Sequence, residues 1–437
     1  MKATSSDNDA THLPKYRIGG PLAWTIWALG GLSFGYAFFH RVAPSVMVNE
    51  LMRDFDVGGA ALGNLSALYF YAYAGLQLPI GIILDRFGAR VTLSVSLLIC
   101  AIGGLIFATA DTILMAYTGR LLVGVGSGVG FLGSLVLISQ WFPQSRFALL
   151  TGSTMTIAML TAVGSQAPLA LIVAANGWRN TLIYGSLVGL LLALATGLII
   201  RNSPDPAKLD KHHHVTWGEF GRQILTAFRI PQVWVTAFIS ITMSGFLLGF
   251  GALWGIPYMM VRYGIDRPVA GAYVSAVFLG WAVGAPLSGW LADHVQRRKS
   301  PIVLAALVNT LILIALFLIP DLPIAVAGGL IFLGGAIGAV MINCYAYIRE
   351  MTNPKVHGAI MGLINGFTVG SGAVLQPLIG YLLDLNWTGQ MVDGARAYSL
   401  DTYTIGMWAI IITAFLGFLA TLAMRETYCR SQFDPDT

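Results

Sequence analysis

The sequence predicts an all-α polytopic membrane protein, with twelve transmembrane helices in two pseudo-symmetric six-helix bundles. Three observations predict it. The 437 residues are 56% hydrophobic and only 10% charged, whereas soluble domains carry about 25% charged residues. A soluble fold of this length could not keep that much apolar surface out of water. Apolar runs of about 20 residues, the length that crosses a bilayer, recur twelve times between short polar segments. Finally, the decapeptide 81–90 returns in worn form at 289–298, with Gly81 and Gly289 208 residues apart, as are Asp85 and Asp293.

The polar stretch Met1 to Arg17 lacks the short apolar core and small-residue cleavage site of a signal peptide, so the first span is expected to stay in the mature protein. Spans are expected near 22–44, 60–84, 91–110, 113–140, 148–175, 180–200, 232–257, 269–292, 301–319, 323–348, 358–384 and 403–424. Lipid offers a backbone no hydrogen-bond partner, so these runs must be helices. They are too long, and alternate too little, for barrel strands. The longest polar stretch, Arg201 to Pro231, holds Pro204, Pro206 and His212-His213-His214. It reads as a linker, and the His triplet as a solvated segment rather than a metal site. The division expected is a tail 1–21, a bundle 22–200, a linker 201–231, a second bundle 232–424 and a tail 425–437.

Lys and Arg fall unevenly on the two sides, and that bias sets orientation. With the N-terminus in the cytoplasm, eighteen Lys and Arg, including every lysine, lie on the cytoplasmic side, against six outside. An even number of spans then puts both termini inside, in a bacterial inner membrane. Basic residues are scattered singly, so a nucleic-acid face is not expected. Cys100, Cys344 and Cys429 suggest no disulfide framework. No cofactor, metal site or catalytic constellation is read, so no enzyme is expected. The expected partners are the lipid bilayer, a small-molecule substrate and H+ as coupling ion, and the expected state is a monomer.

Charge inside a span is expensive and marks function by default. Arg120, about two turns into span four, and Arg41, near the outer end of span one, qualify. A guanidinium fork suits carboxylate or phosphate, so the pair suggests an anionic or zwitterionic substrate. Snorkelling is the alternative for Arg41, and a structural bond to span one is the alternative for Arg120. Polar residues within spans complete the candidate substrate set: Tyr69, Tyr73 and Gln77, which share a helix face, with Gln166, Asn343, Asn365 and Gln376. Every Asp and Glu falls in a tail, a loop or a span end, so no buried carboxylate proton carrier is visible.

The segment Gly81-x-x-x-Asp85-Arg86-x-Gly88-x-Arg90, its copy at 289–298, the span-four segment Arg120-x-x-x-Gly124-x-Gly126 and the twelve-span layout resemble the major facilitator superfamily along essentially the whole chain. The resemblance implies alternating access, with the first motif as a latch. Asp85 would cap the N-terminus of span eleven near Gly358, where a helix dipole favours negative charge. Gly81, Arg86, Gly88 and Arg90 complete that gate. The worn copy contributes Gly289, Asp293 and Arg297 and is expected to contact span five less tightly. The antiporter signature of span five is absent from Gly164-Ser165-Gln166-Ala167-Pro168. Tyr36-x-x-x-His40-Arg41 resembles the anion:cation symporter branch, but His40 stands where that branch carries an acid, and Ser127 where it carries a Glu. Histidine is the side chain whose ordinary pKa lies nearest neutral pH, so His40 is the coupling candidate. The segments 41–47 and 70–74 also resemble bacterial transporters for amino acids and related nutrients. The expected function is secondary transport of a small carboxylate-bearing solute, such as an organic anion, amino acid or short peptide. A drug or siderophore exporter and a non-transporting sensor are the alternatives.

Overall fold

The computed structural model describes residues 16–205, 217–353 and 356–432. The His212–His214 triplet and Pro206 lie outside them. The first bundle runs α1 (Pro21–Val42), a short α2 (Val48–Asp54), α3 (Gly59–Gln77), α4 (Ile80–Ala108), α5 (Ile113–Ser127), α6 (Gly130–Trp141), α7 (Gln144–Gly164) and α8 (Ala167–Ile199). After α9 (Trp217–Phe228) come α10 (Pro231–Gly245), a π-helical stretch (Phe246–Trp254), α11 (Gly255–Tyr263), α12 (Arg267–Val295), α13 (Lys299–Leu318), α14 (Ile324–Gly338), α15 (Ile342–Glu350), α16 (His357–Leu385) and α17 (Leu400–Leu422).

Eleven of these stretches are long and apolar enough to cross a membrane. The remaining leg is α3 with the first turns of α4. Its hydropathy falls short because Asn64, Ser66, Tyr69, Tyr71, Tyr73 and Gln77 interrupt it. Two turns between legs lie inside continuous helical runs. Gly88 (φ 73°) folds α4 back between legs two and three, and Gly177 (φ 75°) does the same in α8 between legs five and six. Both are left-handed positions that only glycine takes without a Cβ penalty. The worn repeat puts Gln296 into the equivalent place, at φ 55°, at a cost of about 1–2 kcal/mol.

Within the first bundle α4 packs on α5 and α8, and α1 on α6 and α7. In the second, α12 packs on α14, α10 on α16 and α13 on α17. Both ends of the described chain lie on one face: the Tyr16 amide bonds the Pro204 carbonyl, and the Gln432 amide bonds the Glu350 carbonyl. The 81–90 and 289–298 segments share this termini face.

Two elements correct the sequence reading. The linker 201–231 is not polar coil throughout, because α9 occupies 217–228. Its Ala227 is buried beside Val233 and Ile364, and Phe228 stacks on Trp234 at 5.3 Å. The loop after α16 holds a hairpin, β1 (Met391–Val392) with β2 (Ala395–Arg396). Its turn is Asp393-Gly394, both at positive φ, the dipeptide that favours a two-residue hairpin turn.

The α12–α14 seam rests on small residues, as helix association in lipid requires. A Cβ on Gly284 would strike the backbone of Ala336, and one on Gly280 the backbone of Phe332. Gly284→Leu is therefore expected to destabilise by more than the roughly 1–3 kcal/mol of ordinary overpacking. Gly75→Ala, which meets nothing within 4 Å, should leave stability unchanged. Thermal unfolding of the detergent-solubilised variants, followed by size-exclusion chromatography, checks the contrast.

Candidate functional site

Arg41 lies in the last turn of α1 with only 5% of its surface exposed. Its guanidinium carbon sits 4.2 Å from the Phe38 ring centre, 5.0 Å from Tyr73 and 5.5 Å from Tyr69. Tyr69 and Tyr73 stack on each other at 6.0 Å. They lie about 15 and 21 Å along α3 at roughly 1.5 Å per residue, near the middle of a hydrocarbon core about 30 Å thick. Arg41 joins no ion pair among the described residues, and its Nε has no hydrogen-bond partner. Three rings supply about 2 kcal/mol of cation–π attraction per desolvated contact at best. Burying an unpaired charge costs several kcal/mol. The rings shelter the cation without neutralising it.

Arg120 is spent differently. Its Nη1 donates to the His40 carbonyl at 2.8 Å and its Nη2 to the Ser66 carbonyl at 3.3 Å. One fork thus ties α5 to both α1 and α3, and it offers nothing toward the α3–α16 seam. His40 lies behind Arg41, its ring edge-on to Tyr36 at 4.7 Å and to Phe39 at 5.0 Å, with Nε2 unbonded.

The polar candidates split into two layers. Tyr69 donates to the Ala37 carbonyl at 3.1 Å, and Tyr73 faces Arg41. Below them runs a chain across both bundles. Gln77 donates to the Gly128 carbonyl at 3.1 Å and accepts from Asn365 at 2.8 Å, and Asn365 accepts from Tyr345 at 3.1 Å. The other layer gathers on the π-helical stretch. Gln166 donates to the Gly251 carbonyl at 2.9 Å and accepts from Ser45 at 3.3 Å, while Gln376 donates to the Leu248 carbonyl at 2.7 Å. Trp254 returns a bond to the Gln376 carbonyl at 3.0 Å. The Gln376 Oε1 is buried with no hydrogen-bond partner, whereas the Gln166 amide is held by backbone and by Ser45. Asn343 is likewise spent on the Ser288 carbonyl at 3.2 Å, inside the second bundle.

On the termini face, Gly88 and Arg90 dock on their own bundle. The Arg90 amide bonds Asn202 at 2.8 Å, and its Nε bonds the Gly197 carbonyl at 2.7 Å. Asp85 and Arg86 are exposed, Asp85 has no hydrogen bond or ion pair among the described residues, and Arg86 lies over Phe87. Gly81 and Gly358 both border open space, so the Asp85–α16 contact is not made here. In the copy, Gly289 also borders open space and Arg297 is exposed. Asp293 pairs with Arg298 at 3.0 Å rather than with α7. Arg298 also bonds Glu350 at 3.0 Å, and Glu426 accepts the Arg298 amide at 2.7 Å. The anchor is therefore Arg298 and not Arg297. The signal was present, because Arg298 stands 208 residues after Arg90. Neither Asn202 nor Glu350 carried any pattern of its own.

The opposite face is pinned shut between the bundles. Glu50 pairs with Arg267 at 2.6 Å, Gln166 crosses to the π-helical stretch, and Asp384 at the end of α16 accepts the Gly59 and Ala60 amides, each at 2.9 Å. The sequence reading passed over Asp384 as an ordinary span-end acid.

A family model described as Major Facilitator Superfamily matches residues 29–260 and 241–432. A probable sulfoacetate transporter of Cupriavidus necator is 25% identical over 81% of this chain and 85% of its own length. A probable galactarate/D-glucarate transporter of Escherichia coli is 24% identical over 89% of this chain and 90% of its own. Among solved structures, a bacterial homologue of the human lysosomal transporter Spinster, inward-facing and unoccupied, aligns with a TM-score of 0.74 at 17% identity. That alignment covers 95% of this chain and 99% of the homologue. A D-xylose–proton symporter aligns at 0.69 and 16% identity, covering 93% and 98%.

Two outcomes follow from the bonding. Arg120→Lys cannot span two carbonyls with one ammonium, so it should lose about the 1.5–3 kcal/mol of a charged hydrogen bond, read as a lower unfolding temperature little better than that of Arg120→Ala. At Glu426 burial raises the carboxyl's pKa, but the amides of Arg298, Lys299, Tyr428 and Thr427 outweigh it and hold the pKa below its ordinary 4.5. A depressed carboxyl stabilises the fold above the unfolded pKa and loses that contribution as pH falls through the folded value. Glu426→Gln should therefore lower the melting temperature at pH 7 and shrink its drop between pH 5 and pH 3.

Proposed function

The chain belongs to the Major Facilitator Superfamily and is a multi-pass secondary transporter, not an enzyme; on that premise we propose that it moves small organic anions across a bacterial inner membrane by alternating access. The observation that carries the reading is Arg41, a buried and unpaired guanidinium near the middle of the bundle. A substrate carboxylate or sulfonate is the partner that would neutralise it, and the guanidinium fork favours planar two-point contact. The names of the relatives agree in kind, since sulfoacetate and galactarate/D-glucarate are small, hydrophilic and anionic. We assign to substrate hydroxyls Tyr73, whose ring lies 5.0 Å from the Arg41 guanidinium, and the Gln77 and Asn365 amides, bonded to each other across the bundles. Arg120 is assigned a positioning role, because it fixes the turn of α1 from which Arg41 projects.

His40 is the proposed site of the coupling proton. A proton there would set a second cation beside the Arg120 guanidinium, with Tyr36 and Phe39 as its neutral neighbours. An anion bound at Arg41 would offset that repulsion, so substrate and proton would load together. The Lys and Arg bias supports a cytoplasmic termini face. The face closed in this structure would then be the periplasmic one, with the solute path open inward. The division into bundles at 22–200 and 232–424, joined by the segment that carries α9, is likewise part of this proposal.

Proteoliposomes test the reading. Counterflow of galactarate, glucarate or sulfoacetate should exceed that of neutral sugars. Arg41→Ala should reduce kcat/KM for the anion by roughly 10- to 100-fold, the worth of one charge-assisted contact. Anion transport untouched by Arg41→Ala would remove the anion site. His40→Gln should keep counterflow while abolishing accumulation driven by an imposed pH gradient. Intact pH-driven accumulation would take the coupling role from His40.

A further inference from the structure

Helices α3 and α16 run antiparallel between the bundles, and their ends are built alike. Asp85 lies 26 residues after Gly59, and Asp384 lies 26 residues after Gly358, about 39 Å of helix in each case. Each leg thus begins at a glycine and ends at an aspartate. Running antiparallel, each leg brings its aspartate to the glycine of the other. At the opposite face that meeting is made. Asp384 accepts both first-turn amides of α3, from Gly59 and Ala60, each at 2.9 Å. Tyr398 donates to it at 2.5 Å and accepts from the Gly59 amide at 2.8 Å, and Arg396 pairs with it at 3.1 Å. Helix α3 has no side-chain cap of its own, so the other bundle supplies one. Gly58 leaves the room for it, since a Cβ there would collide with the Asp384 carboxylate. At the termini face the matching meeting is broken: Asp85 has no partner among the described residues, Gly358 borders open space, and α16 has no side-chain cap.

We propose that Asp384, braced by Tyr398 and Arg396, is a counter-latch to Asp85. Each aspartate caps the partner helix of the other bundle in one state only, so one latch closes as the other opens. The carboxylate gains the helix dipole and two orphan amides, and an uncapped end loses about 1 kcal/mol. Opposed latches of equal kind keep the two end states within a few kcal/mol, which a carrier needs if substrate is to shift its population. The two differ in bracing: the Asp384 latch carries Tyr398 and Arg396, and the structure stands in the state that closes it.

This inference rests on the alternating-access reading, and its test is scored without substrate so that the two fail separately. Ser45, buried between the bundles near the closed face, becomes a reporter as Ser45→Cys in a chain whose three native cysteines are replaced by serine. Maleimide labelling is then timed in lipid nanodiscs. Asp384→Asn should speed labelling about fivefold, the ratio that one lost cap gives, and Asp85→Asn should slow it. The double variant should return toward the parent rate. Tyr398→Phe, a milder change that keeps the carboxylate, should move labelling in the direction of Asp384→Asn by a smaller factor. Parent-like labelling in both Asp384→Asn and Tyr398→Phe, or a shift of Asp85→Asn in the same direction as Asp384→Asn, would overturn the counter-latch.

Discussion

Helices α3 and α16 meet backbone to backbone. Gly59 lies against Gly380, and Gly63 against Gln376, and the contact continues to Gly362 beside the Gln77 carbonyl, 2.8 Å from where a Cβ would stand. Glycines bring the backbones together along this seam, Gln77–Asn365 and Asp384 bridge it with side chains, and α12 packs on α7 and α8 as a second seam between the bundles. Seams of small residues let two rigid bundles rock on each other, closing one end while the other parts. Of the polar residues that spoil the hydropathy of α3, Gln77 bonds α16 across this axis, while the Ser66 carbonyl and Tyr69 bond the first bundle. That is why the least lipid-like leg is also the one around which the rest is arranged.

The two buried arginines show how one residue type meets two ends in the same bundle. Lipid and protein give a buried guanidinium the same choice, to find oxygen or to remain costly. Arg120 finds it in the carbonyls of His40 and Ser66, made available where α1 and α3 pass its fork. Arg41 stands one residue beyond His40 on the same helix and finds the rings of Phe38, Tyr69 and Tyr73, the two tyrosine hydroxyls and no carboxylate. The structure satisfies the first charge with backbone and leaves the second for something that is not part of the chain. A similar economy appears at the glutamines. Gln166 and Gln376 hold carbonyls of the widened π-helical stretch, and such stretches gather at functional sites.

Much of this was written in the sequence. Twelve legs, two bundles, the reversal at Gly88 and the charged ends of the twin decapeptides follow from apolar run length and from a repeat at fixed spacing, because lipid permits so few backbone arrangements. Arg41 and Arg120 were visible as charges in the wrong solvent. Their roles were not, because a hydrogen bond to a carbonyl on another helix leaves no mark on the residue that makes it. Arg298 was hidden behind Arg297 for the same reason: the repeat offset pointed to it, but only Glu350, Glu426 and Asp293 converging on it decided which arginine was held. Helix α9 escaped because two prolines and a polar run preceded it.

The sequence by itself determined that this chain lies in a membrane, how often it crosses, and that its halves are copies. Those properties are one-dimensional: they depend on the length and period of apolar runs and on the sign of charge between them. Only the tertiary structure decided which arginine is free, which amides are spent, and that Asp384 caps a helix more than three hundred residues away in the chain. Those properties depend on which backbone groups come within hydrogen-bond reach once the helices pack. No pattern along the chain encodes that reach.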